Sequence, residues 1–285
     1  MTAQSALLSP VDYLLIGHIT QDLDKDGGRH LGGTVSFAGG TARALGCKTG
    51  IVTSVGPEAD LSPLDGIEIV CLEAPISTTF ENRYSDDGRT QYLHHCAKRI
   101  KASDIPVEWI DTPIVHLGPL LDEIELQLLD QVTDSFVGLT PQGWLRKWDA
   151  TGLVSRAEWK AAAEVLPLAD ATVISIEDIE NDWKLAREWA ARTHILVVTQ
   201  ADKGATFFVD GKSHQLSAPH VEVVDPTGAG DIFAAALFAR YRDLGDVLAA
   251  GRFAIKLATA SVTRRGMDSW PLHSEIETAL SLVGL

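Results

Sequence analysis

The chain has 285 residues, 45% of them apolar, and a formal charge of −15, which allows a sizeable core in one large domain or two small ones. So acidic a balance excludes a nucleic-acid or anionic-membrane surface, because both are bound by clustered Lys and Arg. Cys47, Cys71 and Cys96 are too scattered for a disulfide framework or a zinc site, and no apolar run approaches the roughly 18 residues of a membrane span, so a reducing cytoplasm is expected.

Taken in order, residues 11–16 form an apolar run ending at Gly17, the pattern of a buried strand, and Asp22 follows just beyond it. The string Asp22, Asp24, Asp26, Gly27 imitates a calcium loop, but Gly33 stands at the twelfth position where a bidentate Glu is required, so residues 24–28 read as a hairpin turn. Gly32 and Gly33 precede a helix-like stretch at 37–45 whose small residues imply a close approach, of ligand or of sheet. Strand patterns follow at 50–55, 67–72, 78–84 and 89–95, the last two joined across a turn at 86–88. Strands in succession without helices suggest a small sheet projecting as a lid, and a lid keeps water out of a site beneath it. On it, Glu81 or Asn82 could reach substrate hydroxyls or simply face solvent.

From Pro113 the pattern alternates: strand 114–117, helix 124–132, strand 136–139, strand 171–176, helix 181–192 and strand 195–199. That order predicts a parallel sheet with helices on both faces. Strands are expected at 205–209 and 221–224, and helices at 246–263 and 274–283. Next to the 221–224 stretch comes D-P-T-G-A-G-D, Asp225 to Asp231, entering an apolar, alanine-rich run. Two glycines around one small residue leave backbone N–H groups uncovered at a helix start, where the helix dipole favours an anion. Asp231 at the mouth of this turn is placed to act as a base beside that anion site.

This stretch resembles the signature of the ribokinase-like (pfkB) carbohydrate kinases. The resemblance implies a single three-layer α/β/α domain over 1–285, with a mainly parallel central sheet and a small β-sheet lid from about 17–36 and 67–98. It implies ATP-dependent phosphorylation of an alcohol, with Asp231 as base and the amides of Gly228, Ala229 and Gly230 as anion hole. By the same resemblance Asp22, Gly32, Gly33, Glu81, Asn82, Gln142 and Arg146 are acceptor-side candidates. Thr199, Gly204, Thr227, Ala254 and Ala258 are ATP-side candidates. Glu177 and Glu180 would support Mg²⁺ through water, and Asp225 a monovalent cation such as K⁺.

The strings I-G-H-I-T-Q-D, G-G-T-V and T-T-F-E-N-R-Y look like the myo-inositol kinase branch. Family members often carry an Asn four residues after the paired glycines; Phe37 stands there, which weighs against a ribose or fructose acceptor and offers a surface on which a nucleobase could stack. A nucleoside or ribose/fructose-type sugar kinase and a non-catalytic sugar-binding sensor are the alternatives. A Rossmann oxidoreductase and a Walker-type kinase are excluded, because neither G-x-G-x-x-G after the first strand nor G-x-x-x-x-G-K-[ST] occurs. A monomer or homodimer is expected, with ATP and a small polyol or sugar as its ligands.

Overall fold

Tyr13–Ile16 forms β1, buried on both faces: Tyr13 and Leu15 enter one apolar core and Leu14 and Ile16 another. A strand that serves two cores belongs inside a parallel sheet covered on both sides. In this computed structural model, which describes residues 8–24, 27–85 and 88–284, the chain continues through β2 (Thr20–Leu23), β3 (Arg29–Gly32), α1 (Thr34–Ala44), β4 (Thr49–Val55), β5 (Glu68–Glu73), β6 (Thr78–Ser85), β7 (Gly88–His95), β8 (Ile114–Leu117) and β9 (Phe136–Leu139). It then forms β10 (Arg146–Trp148), β11 (Val154–Arg156), α2 (Ala162–Val165), β12 (Ala171–Ser175), α3 (Trp183–Ala190), β13 (Ile195–Thr199), β14 (Ala205–Val209) and β15 (Lys212–Leu216). The helices α4 (Ala229–Leu244), α5 (Val247–Ser261) and α6 (His273–Leu282) close it.

Nine strands make the central sheet in the order β15-β14-β13-β12-β9-β8-β1-β4-β5; only β14 runs against the others, pairing antiparallel with both β13 and β15. From β1 the chain adds β4 and β5 on one side and, starting with β8, the remaining strands on the other. The strand order therefore reverses between β1 and β8, and ligands of open α/β sheets bind beyond the carboxyl ends of the strands at such a point. Helices α1, α4, α5 and α6 cover one face. The other is covered by α2, α3 and short 3₁₀ turns, with Trp109, Trp144, Trp159 and Trp189 buried among them.

A second, four-stranded sheet runs in the order β3-β2-β6-β7; it is reached from the carboxyl ends of β1, by β2, and of β5, by β6. Three expectations are corrected. Residues 67–72 belong to the central sheet rather than the lid, because β5 pairs in parallel with β4 along its whole length. Residues 124–132 form only a 3₁₀ stretch, Leu126–Gln131, and 221–224 is not a strand. The turn at 86–88 lies largely outside the described residues, as do residues 25 and 26 of the 24–28 turn, although the strands on either side of each turn pair antiparallel.

Beneath the switch point runs a buried polar chain. Tyr13 Oη lies 3.1 Å from His116 Nδ1, and His116 Nε2 lies 3.1 Å from Thr140 Oγ1. Burial pushes the His116 imidazole down to about 3, so it stays neutral. Between that value and the ordinary 6.5 the unfolded chain takes up a proton that the folded one does not, so this group makes stability fall as pH drops through that window, by about 1.4 kcal/mol per pH unit. Urea midpoints measured between pH 7 and pH 4 are expected to decline less steeply in His116→Gln than in wild type; identical slopes would contradict this assignment.

Candidate active site

Two helix N-termini meet at the switch point. Gly228, with φ +78°, ends the loop and caps α4, which places Ala229, Gly230 and Asp231 in its first turn. Gly33, with φ +92°, caps α1, so that Thr34 opens it. Asp231 lies at the bottom of the cleft, partly open to solvent, and its carboxylate accepts a hydrogen bond from Thr34. The positive φ values give the physical reason for both glycines, since any other residue would be strained there.

Close approaches shape the rest. A Cβ on Gly228 would come within 2.2 Å of the Phe37 ring, and one on Gly32 within 2.7 Å of both the Asp22 carboxylate and the Thr20 hydroxyl. One on Gly33 would lie 2.4 Å from the carbonyl oxygen of His18, whereas Gly230 has open space around it. Phe37 is only 2% exposed and belongs to the core, so the expectation that it could stack on a nucleobase is corrected: it packs beneath the Gly228 turn. The amides of Gly228 and Gly230 have no backbone partner among the described residues, and Gly230 is exposed; that of Ala229 donates to Pro226 O at 3.3 Å. Of the three amides that the sequence resemblance implies for an anion hole, that of Ala229 is therefore already engaged within the loop.

Burial raises the Asp231 carboxyl to about 6; the Thr34 hydrogen bond and the Arg146 guanidinium work against that rise, and the carboxylates of Asp178 and Asp22 add to it. Arg146, Asp178 and Asp22 thus share one electrostatic neighbourhood with Asp231. Gln142 Nε2 donates to Asp178 Oδ1 at 3.1 Å, and Ser175 N to Asp178 Oδ2 at 3.2 Å, which fixes Asp178 at the carboxyl end of β12.

Several expected site residues stand elsewhere. On the lid, the register pairs Asp22 with Phe80 and Asn82 with Gln91, which puts Asp22, Phe80 and Asn82 on the side that packs on Leu120 and Leu121 of the body. Period-two alternation then turns Glu81 to the opposite side. There Arg83 and His94 hydrogen-bond its carboxylate and hold it down to about 2, so Asn82 rather than Glu81 faces the cleft. Glu180 is 65% exposed and paired with Arg156 at 2.9 Å, and Glu177 is exposed; the carboxylate that faces Asp231 is Asp178 between them. Sequence reading passed over Asp178 and Thr34, although Thr34 directly follows the glycine pair.

On the donor side, Gly204 is buried beneath β15, where a Cβ would meet Leu216 O at 2.0 Å, so packing explains the glycine. Ala254 is wholly buried and lines no slot, while Ala258 is half-buried. Thr199 Oγ1 donates to Ile174 O at 3.2 Å, and Thr227 is exposed beside the Gly228 turn. Asp225 accepts from Thr227 N at 2.9 Å and Gly266 N at 3.3 Å, bracing the loop. An apolar patch, Val223 at 57% and Val224 at 47% exposure, adjoins the turn. An open groove lined by Phe136, His194, Lys212 and Tyr241 lies at the opposite end of the strands and contains none of these groups.

Residues 154–274 match the model of the pfkB family carbohydrate kinases. The chain is 27% identical over 258 residues to the cytidine kinase of Thermococcus kodakarensis, covering 81% of this chain and 88% of that one. It is 25% identical over 250 residues to the inositol 3-kinase of Oryza sativa subsp. japonica, covering 80% and 62%. A solved pyrophosphate-dependent kinase of the ribokinase family, complexed with a pyrophosphate analog and myo-inositol, superposes with a TM-score of 0.78 at 26% identity, covering 94% of this chain and 99% of that one. The fold is ribokinase-like, and residues 154–274 carry a pfkB family carbohydrate kinase domain.

Proposed function

We propose that this protein transfers the terminal phosphoryl group of ATP to a hydroxyl of a small uncharged polyol, with myo-inositol or a related cyclitol the favoured acceptor. The observation that carries the reading is the meeting of Asp231 with the Gly228 and Gly230 amides at one helix start, under a lid whose inner side presents Asp22 and Asn82. In this reading the acceptor hydroxyl gives its proton to Asp231 as its oxygen attacks the γ-phosphorus in line, and the amides hold the charge on the equatorial oxygens. Asp22, Asn82 and Gln142 orient the acceptor; Arg146 draws the donor phosphates toward it.

Among the described residues no group of three or more His, Cys, Asp or Glu side chains could hold a metal by itself. That suits Mg²⁺, which binds such sites through one or two carboxylates, substrate phosphates and retained water. Asp178, already oriented by Gln142 and Ser175 N, is the residue that would hold the hydrated ion, and when bound the ion would neutralise donor-phosphate charge. A monovalent cation at the Asp225 brace is proposed as an activator, read as a rise in rate with KCl over choline chloride.

Pyrophosphate as donor is the second reading, favoured by the likeness to the pyrophosphate-dependent kinase and by the burial of Ala254. The exposed Val223 and Val224 beside the anion turn favour a nucleotide, because a bare pyrophosphate has nothing apolar to place there. Assays with ATP and with pyrophosphate, each against cyclitols, sugars and nucleosides, decide: product from ATP and myo-inositol supports the reading, and turnover with pyrophosphate alone overturns its donor.

The raised carboxyl of Asp231 sets a pH dependence. A base must be ionised to accept the proton, so kcat/KM is expected to fall about tenfold per unit below a pKa of about 6 and to level off above it. A profile flat down to pH 4.5 would remove Asp231 from that role.

A further inference from the structure

The two-stranded sheet β10–β11 is a hairpin that touches each part of the proposed site. Its base carries Arg146, whose guanidinium acts on Asp231, and is closed by Ala157 N donating to Leu145 O at 2.7 Å. Its tip is stiff: Asp149 Oδ1 accepts from Thr151 N at 2.8 Å, Thr151 Oγ1 at 2.6 Å and Leu153 N at 3.1 Å. That tip docks on the edge of the lid, where Leu93 N donates to Gly152 O at 2.8 Å and Tyr92 bridges Leu153 in antiparallel fashion. Val154 completes a small apolar knot with Phe80 and Leu93 of the lid and Leu120 and Leu121 of the body. The far end of β11 is pinned by Arg156 to Glu180, two residues beyond Asp178.

From this arrangement we infer that the β10–β11 hairpin is the positioning element of the reaction proposed above: it ties the lid edge to Arg146 and to the Asp178 loop, so that lid closure and alignment of the donor phosphates are one event. A lid held only by its own strands could lift while Arg146 stayed in place. The donor would then be open to water, whose oxygen would bond to the γ-phosphorus as the bridging oxygen leaves, giving ADP and inorganic phosphate instead of ADP and phosphorylated polyol. The hairpin couples donor breakdown to acceptor occupancy by preventing that separation.

Gly152 is the place to cut the tie. Its φ of +85° disfavours any side chain, and a Cβ there would lie 2.3 Å from Leu93 O, the backbone of the docked lid strand. In Gly152→Ala, transfer to the acceptor is expected to fall about tenfold while acceptor-free donor hydrolysis rises severalfold. Arg156→Gln, which removes the pin to Glu180 without touching the lid, is expected to shift the ratio of donor consumed to acceptor phosphorylated in the same direction by a smaller factor. This readout separates positioning from mere stability, because a partly unfolded enzyme loses both reactions together. An unchanged ratio in both variants of an active enzyme overturns the inference alone, whereas a wild type that phosphorylates nothing from ATP or pyrophosphate removes the reaction and the coupling with it.

Discussion

Asp231→Asn is expected to lower phosphoryl transfer by about 10²- to 10⁴-fold while donor and acceptor affinities stay within a few-fold of wild type. The amide keeps the shape of the carboxylate and can still accept from Thr34, so the first turn of α4 and the anion hole remain in place. What is lost is a group that can take the acceptor proton. The same substitution should raise stability above pH 6. The folded-state pKa of Asp231 lies above the unfolded value near 3.8, so ionisation between pH 3.8 and about 6 lowers wild-type stability, and the neutral amide escapes that loss. Discounted for the partial opening of the site to solvent, the gain is about 1–2 kcal/mol. Rates from product formation and urea midpoints at pH 8 check the two halves; an Asn variant that is both active and less stable contradicts both.

Gly228→Ala is expected to be nearly as damaging, by a different route. The new methyl group would need the left-handed φ of +78° and would sit 2.2 Å from the Phe37 ring, which is locked in the core. Strain alone costs about 1–2 kcal/mol, and the turn must shift to relieve the clash. A displaced turn misaims the Gly228 and Gly230 amides, and loss of such donors costs about 10²- to 10³-fold in rate. Gly230→Ala provides the contrast. Nothing lies within 4 Å of the added methyl, so a change below about tenfold is expected there. Equal effects at the two glycines would contradict this, because the clash with Phe37 at Gly228 would then not be what displaces the amides.

The parts of this molecule that follow from local chemistry were legible in the sequence. The two-core strand at Tyr13–Ile16, the parallel strands after Pro113 and the glycine-flanked turn before α4 all state their structure through spacing and residue type. The parts that depend on pairing between distant segments were not. Ile69 and Val70 look like any short strand, and only pairing with β4 assigns them to the central sheet instead of the lid. Glu81 and Asn82 are adjacent, so composition favours neither; the pairing of Asp22 with Phe80 decides which one faces the cleft. Glu177 and Glu180 drew the eye as carboxylates, yet Glu180 sits at a positive φ and is turned out to Arg156, leaving Asp178 inside. The β10–β11 hairpin shows its turn only in Asp149 and Gly152, while its register depends on the lid edge it docks on.

The most direct test of the account is product formation from ATP, Mg²⁺ and myo-inositol, followed by ³¹P resonance of the reaction mixture for wild type and Asp231→Asn at pH 7.5. The account predicts ADP and a phosphomonoester of the cyclitol in equal amounts from the wild-type enzyme, and a rate lower by at least about 10² in the variant. Full-rate phosphorylation by Asp231→Asn, or a wild type that binds the cyclitol without ever phosphorylating it from either donor, would contradict it.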